Sequence, residues 1–189
     1  MALVFQLWKS SSPRMKRILV IGAFFILSLI VTVAGVLTPL TSEEAAEISK
    51  ELEDMRESVS NAGAFRGTAL IFGNNFILCL LFFIPVVGPF FGYYVLYSTG
   101  VVIAADSVST GVQPILSFLL LFIFPFTWLE FLAYSTAFSQ SMWLTWRIIQ
   151  RKWRGELVNT GIMISICAVV LLVAAVIEIL VIQALSSLV

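Results

Sequence analysis

Four long stretches of this chain carry no charged residue or only one. Residues 18–37 form an uncharged run of 20 and residues 67–105 an uncharged run of 39. Residues 107–146 and 157–189 contain one charge each, Glu130 and Glu178. A helix crosses the hydrocarbon core of a bilayer with roughly 20 apolar residues. The sequence therefore predicts an all-α fold, a polytopic bundle of transmembrane helices forming a single membrane domain.

The positions of proline and glycine divide these runs into five predicted spans. Breaks are expected at Pro85, Gly88 and Pro89, and a kink is expected at Pro125 inside one continuous helix. The third span is then short, and whether it fully crosses stays open. The predicted spans are residues 18–37, 67–87, 90–105, 114–146 and 157–188.

The basic residues predict the orientation. One cluster precedes the first span (Lys9, Arg14, Lys16, Arg17) and another precedes the last (Arg147, Arg151, Lys152, Arg154). Basic flanks stay on the cytoplasmic side, so the chain must cross the membrane an even number of times between the two clusters. The count is four if residues 114–146 cross once and five if they cross twice, so one crossing is predicted. The amino terminus is predicted to be cytoplasmic and the carboxyl terminus outside. Residues 1–13 are too short to cross and are predicted to lie along the cytoplasmic interface.

The one sizeable polar stretch, residues 41–60, is predicted to be an acidic amphipathic helix on the outer side. Thr41 and Glu44 have capping-box spacing. Its apolar residues recur in steps of three and four, which gives one apolar stripe: Ala45, Ile48, Leu52, Met55 and Val59. Two interpretations remain open. The stripe rests on the outer ends of the spans, or it is a docking surface for a partner, with Ile48, Leu52, Met55 and Val59 as the contact residues.

Glu130 is the most informative polar residue. In a continuous 114–146 helix it lies 16 residues from either end, about 24 Å at 1.5 Å per residue, which places it near the bilayer midplane. Helical spacing puts Thr127, Tyr134, Ser141 and Thr145 on the same face as Glu130, which gives one polar stripe. Asn74 and Asn75 lie in the second span and point in different directions. These groups predict either a proton or ion pathway or interhelical hydrogen bonds that hold the bundle together.

Catalytic and cofactor signatures are missing from the sequence. The chain has no histidine, and its two cysteines, Cys79 and Cys167, lie in apolar runs. No nucleotide-binding, nucleophile or metal motif occurs, so neither a metal nor a cofactor is predicted. The formal net charge of +0 gives no bulk attraction to nucleic acid. The sequence therefore favours a non-enzymatic protein.

Residues 70–140 resemble the stage II sporulation protein M family. The resemblance rests on Asn74-Asn75 opening an apolar helix, on Gly88-Pro89 followed by Tyr97-Ser98-Thr99-Gly100, and on a segment that begins at Pro125 and contains Glu130 and Ala133. Phe126-Thr127 stands where the family has His-Gly, and Leu132 stands where it has a second proline. The resemblance implies a non-enzymatic polytopic scaffold for partners that remodel the cell wall, similar in fold to permease subunits of exporters.

Three functions remain open on this basis. The leading prediction is a non-catalytic membrane scaffold or accessory subunit, with the bilayer and other membrane subunits, or further copies of itself, as partners. The alternative is a transporter or permease subunit that uses Glu130. A third possibility is an accessory subunit of a membrane-bound oxidoreductase.

Overall fold

The computed structural model describes residues 12–186, and this part of the chain consists of seven helices joined by short connections, with no strand. The all-α prediction is confirmed. Of the predicted interfacial segment, residues 1–13, residues 1–11 lie outside the described residues, whereas Ser12 caps the first helix and Pro13 begins it. The helices are α1 (Pro13–Val36), α2 (Ser42–Asn61), α3 (Gly63–Phe82), α4 (Val87–Thr110), α5 (Pro114–Leu121), α6 (Pro125–Ile149) and α7 (Trp153–Ser186).

Four of these helices, α1, α3, α4 and α7, are each long and apolar enough to cross a membrane. The pair α5 and α6 passes the same criterion jointly, but the two helices meet at 87°. Counting this bent pair as one span gives five crossings. The chain is a multi-pass membrane protein.

The prediction of one continuous helix over residues 114–146 is wrong, because the chain breaks between α5 and α6. Pro125 is the first residue of α6, where its missing N–H costs nothing. Continued helix would press its ring against the carbonyl of Leu121. Two carbonyls released by the break find new donors. The Thr127 hydroxyl donates to Leu121 at 2.8 Å, and the Trp128 indole N–H donates to Phe122 at 2.8 Å.

The third predicted span is not short. Helix α4 has 24 residues and begins at Val87, so Gly88 and Pro89 lie inside its first turn rather than in the break. Proline is tolerated there because the first N–H groups of a helix have no intrahelical partner. The reversal is centred on Pro85 and Val86, where Val87 N–H donates to the Pro85 carbonyl at 2.8 Å. Val86 has φ 66° and ψ −60°, which makes this a strained classic γ-turn.

Helices α1 and α4 cross at two glycines. A Cβ built on Gly35 would meet the Tyr97 carbonyl oxygen, and one built on Gly100 would meet that of Thr32. Ser28 and Thr32 on α1 are also buried. Small residues let two helix backbones approach closely, which in a bilayer replaces the hydrophobic effect as the source of helix association.

Aromatic side chains fill the centre of the bundle around α6. Phe138 lies 5.0 Å, centroid to centroid, from both Phe82 of α3 and Tyr93 of α4, and 6.1 Å from Phe24 of α1. A side chain at Gly92 would collide with Phe138, so this glycine provides the space for the ring. Helix α7 closes the other side, where Cys167 donates to the Ala133 carbonyl at 3.5 Å.

Charge is separated between the two ends of the bundle. The basic end holds the start of α1, the α3–α4 turn, the α6–α7 turn and the start of α7. Its described basic residues are Arg14, Lys16, Arg17, Arg147, Arg151, Lys152 and Arg154, and its one acidic residue is Glu156. The acidic end holds α2 and the carboxyl end of α4. The described members of both predicted basic clusters thus lie at the same end, where Arg17 and Arg147 both approach Glu156.

Candidate functional site

The intramembrane polar site joins α3 to α6. Asn75 donates from Nδ2 to Oε1 of Glu130 at 2.6 Å, and both side chains are half-buried. The depth predicted for Glu130 assumed a continuous helix, and that assumption is wrong. Asn75 supplies an independent measure, since it lies about 18 Å along α3 from Gly63 and about 10 Å from Phe82 at 1.5 Å per residue. The bond therefore lies in the central part of α3.

Two further polar groups lie near this bond. Tyr134 is buried, and its ring meets Phe82 edge-on at 5.2 Å. Glu178 of α7, the one charge in the last apolar run, is half-buried and lies within electrostatic range of both Glu130 and Tyr134. Asn74 is exposed and points away from the bundle. The structure thus separates the two adjacent asparagines and places only Asn75 in the site.

The remaining polar residues on this face of α6 hold the neighbouring turns in place. Ser141 donates to the Ile84 carbonyl at 2.7 Å, and Thr145 Oγ1 accepts from the Val86 N–H at 3.1 Å. Thr127 binds the end of α5, as described above. The predicted polar stripe of α6 therefore exists, and these three of its members bond to backbone rather than to one another's side chains.

A second polar cluster, at the basic end, was missed by the sequence reasoning. Arg17 donates to Glu156 at 2.7 Å and to Gln140 at 2.9 Å, and Gln140 donates to Glu156 at 2.9 Å and to Thr160 at 2.9 Å. The Glu156 side chain is only 3% exposed. The sequence pattern that could have indicated this cluster is one acidic residue, Glu156, among the four basic residues at residues 147–156.

Arg147 is the less tightly held arginine of this cluster. Its Nε lies 3.7 Å from Oε2 of Glu156, its Nη1 donates to Oε1 of Gln150 at 3.4 Å, and its side chain is 40% exposed. Arg17 in contrast also lies over the Trp143 ring, at 5.3 Å from the centroid. One carboxylate thus serves two arginines, so the cluster keeps a net positive charge.

Helix α2 is fixed to the acidic end of the bundle. Ala45 is buried, while Ile48, Leu52 and Val59 are half-buried, and the helix packs mainly against α4. Arg56 donates to both carboxylate oxygens of Asp106 of α4, at 3.0 and 3.4 Å. Of the four predicted partner-contact residues only Met55 is exposed, at 63%. The apolar stripe therefore packs on this chain's own helices.

The predicted capping box begins α2. Thr41 Oγ1 accepts from the Glu44 N–H at 3.3 Å, and Glu44 Oε2 accepts from the Thr41 N–H at 2.9 Å and from its hydroxyl at 2.7 Å. These bonds stabilise the carboxylate, so they hold the pKa of Glu44 below its ordinary range, first through the backbone N–H and then through the hydroxyl.

Comparison of the chain with protein families, with curated proteins and with solved structures finds no match. Among the described residues, no group of three histidine, cysteine, aspartate or glutamate side chains is arranged to hold a metal ion.

Proposed function

We propose that this chain is a non-catalytic integral membrane scaffold or accessory subunit of a larger membrane protein complex. The proposal places it in the cell membrane with the amino terminus in the cytoplasm, because basic flanks are retained on that side. The acidic end, including α2, then faces outward.

The observation that carries the proposal is the exposed acidic face of α2. Six carboxylates point into solvent: Glu43, Glu47, Glu51, Glu53, Asp54 and Glu57. The buried Ala45, the Arg56–Asp106 pair and the capping box hold this face in a fixed orientation. A preorganised charged surface loses little entropy when a partner binds and selects partners of opposite charge. Exposed Met55 provides an apolar contact within it.

The intramembrane bonds support a structural role for the polar residues. Asn75 of α3 donates a hydrogen bond to Glu130 of α6, and Ser141 and Thr145 hydrogen-bond to backbone groups of the α3–α4 turn. Hydrogen bonds of this kind typically contribute about 0.6–2 kcal/mol each to helix association in bilayers. The resemblance to the stage II sporulation protein M family points the same way, toward a scaffold. An accessory subunit of an oxidoreductase is a variant of this proposal that differs only in its partner.

Affinity isolation of the intact chain from native-host membranes in mild detergent tests the proposal. We expect partner chains at fixed stoichiometry, lost when Glu47, Glu51 and Asp54 are changed to lysine. A matched variant at the basic end, with Arg14, Lys152 and Arg154 changed to glutamine, should keep them, because Lys16, Arg17, Arg147 and Arg151 still mark the cytoplasmic side. A chain that runs alone and monomeric would contradict the proposal.

A transporter or permease subunit is the second candidate. The observation that favours it is the presence of two half-buried carboxyl groups on the candidate spans, Glu130, which accepts from Asn75, and Glu178 of α7. Ionisable groups within the membrane commonly mark ion and proton pathways.

The substitution Glu130→Gln separates the two candidates, because glutamine keeps an oxygen that can accept from Asn75 but cannot ionise. A transporter predicts that flux in reconstituted vesicles is lost while folding and assembly persist. If assembly and flux are both unchanged, the transport proposal fails.

A further inference from the structure

An apolar groove lies at the basic end, between α1, the first turn of α4 and the last turns of α6. Its volume is about 320 Å³, and its walls include Phe24, Val86, Phe90, Met142, Trp146 and Ile149. Val86, Phe90, Trp146 and Ile149 are all more than half exposed. The groove therefore presents an unfilled apolar surface at one edge of the bundle.

The polar atoms at the floor of the groove are already used by the protein. Ser141 donates to the Ile84 carbonyl, and Thr145 both donates to the Ser141 carbonyl at 2.8 Å and accepts from Val86. The part of a ligand that enters the groove must then be apolar. Ligand pockets are commonly about 300–1,000 Å³, so this volume is at the lower limit and suits a single flexible chain.

The surroundings of the groove are positively charged. Arg17 precedes Phe24 by two turns of α1, and Arg147 follows Trp146 directly. Seven described basic residues at this end face a single acidic one, Glu156, which already accepts from Arg17 and lies 3.7 Å from Arg147. Among residues 12–186, Arg147 makes one long hydrogen bond of its five possible donations. An anionic group at the mouth of the groove complements this charge.

We propose that the groove binds one acyl chain of an anionic phospholipid, with the headgroup phosphate near Arg147 and the basic start of α1. Each basic residue near a membrane surface contributes about 1 kcal/mol to the binding free energy of anionic lipid. This corresponds to a factor of about five in the binding constant. A zwitterionic lipid gains no such preference. The apolar residues of the chain's own segment 1–11 are the competing occupant.

Tryptophan quenching by brominated lipid tests the proposal, because Trp146 lines the groove. The full chain is reconstituted in phosphatidylcholine vesicles with about one fifth phosphatidylglycerol, and the bromine is carried either by the phosphatidylglycerol chains or by the phosphatidylcholine chains. Two single-tryptophan proteins are compared. One keeps Trp146, and the control keeps Trp128, which lies at the opposite end of α6 and is also half exposed.

We expect brominated phosphatidylglycerol to quench Trp146 several-fold more than its share of the lipid predicts, and to quench Trp128 in proportion to that share. The substitutions Arg147→Gln and Arg14→Gln should each reduce the excess, by up to about fivefold, whereas Arg66→Gln at the acidic end should not. Low reactivity of the buried thiols Cys79 and Cys167 verifies folding of each variant. Quenching of Trp146 by each lipid in proportion to its share of the bilayer overturns the proposal. Protection of Trp146 from both lipids, the result expected if segment 1–11 fills the groove, also overturns it.

Discussion

The crossing of α1 and α4 should be destabilised when either of its glycines gains a methyl group. In Gly100→Ala, the new Cβ would meet the Thr32 carbonyl oxygen and lie 2.8 Å from the Val36 nitrogen and 2.9 Å from the Gly35 Cα. These are backbone atoms of the opposite helix, so no side-chain rotation relieves the contact. Carbon contacts are optimal at about 3.5–4.0 Å, which requires the helices to separate by at least ~0.7 Å.

This separation also affects the contacts that depend on close approach. Thr38 and Tyr97, whose hydroxyls are 2.8 Å apart, lie one turn from the crossing, and buried Ser28 and Thr32 lie before it. Overpacking of this kind costs about 1–3 kcal/mol. For a chain of this length, about 2–4 °C of melting temperature is lost per kcal/mol. We expect Gly100→Ala and Gly35→Ala to melt about 2–12 °C below the parent protein.

Reactivity of the native thiols during heating is the appropriate assay. Cys79 is 0% exposed and Cys167 1% exposed, so a thiol-reactive dye reports loss of the folded bundle. Gly73→Ala and Gly161→Ala are matched controls, because a Cβ at either position meets nothing within 4 Å. Alanine favours helix over glycine, so these controls should hold or slightly raise the melting temperature. Equal behaviour of all four variants would refute the close crossing.

Three further predictions concern the turn at Val86, the buried ion pair and the cap of α2. Val86→Gly should stabilise the protein by about 1 kcal/mol in the same thermal assay, because it relieves a positive-φ valine; a loss of stability would contradict the γ-turn. Arg17→Met should lower the free energy of unfolding by about 3 kcal/mol, because it leaves the Glu156 carboxylate without its closest cation. In a double-mutant cycle, adding Glu156→Met should recover most of this loss. Additive losses would contradict that pairing. The pKa of Glu44 is lower in the folded protein than in the unfolded chain. The cap therefore stabilises the folded state fully above the ordinary glutamate pKa, and this stabilisation is lost as the pH falls through the folded-state pKa. The protection factors of the amides in the first turn of α2, which are corrected for the intrinsic pH dependence of exchange, should therefore fall in acid. A pH-independent difference between parent and Glu44→Gln would refute the assignment.

Hydropathy and charge predicted much of the fold because both are local properties of the sequence. Apolar runs located the ends of the predicted spans to within five residues, although the run at residues 114–146 holds two helices, and the capping-box spacing located the start of α2. Proline was the main source of error. The predicted breaks at Gly88 and Pro89 lie two to four residues after the turn at Pro85 and Val86, since a proline in the first turn of a helix is compatible with it. Pro125 was assigned a kink, although the carbonyls of Leu121 and Phe122 found other donors and allowed a full break.

The polar contacts were less predictable, because they join residues far apart in the chain. Glu130 stood out as a charge in an apolar run, but nothing in its neighbourhood indicated Asn75 on α3. Glu156 was hidden within a basic cluster, where its partners Arg17 and Gln140 depend on how α1 packs against α6. The stripe on α2 was correctly located, but whether it faces this chain or another is a question of tertiary packing.

Sidedness is the most direct test of the bundle with oppositely charged ends that underlies these proposals. Lys152→Cys at the basic end and Glu57→Cys at the acidic end are both exposed positions, and the native thiols are buried. A membrane-impermeant maleimide applied to intact cells should label Glu57→Cys and leave Lys152→Cys unlabelled until the membrane is opened. Labelling of both positions from the same side would contradict the arrangement.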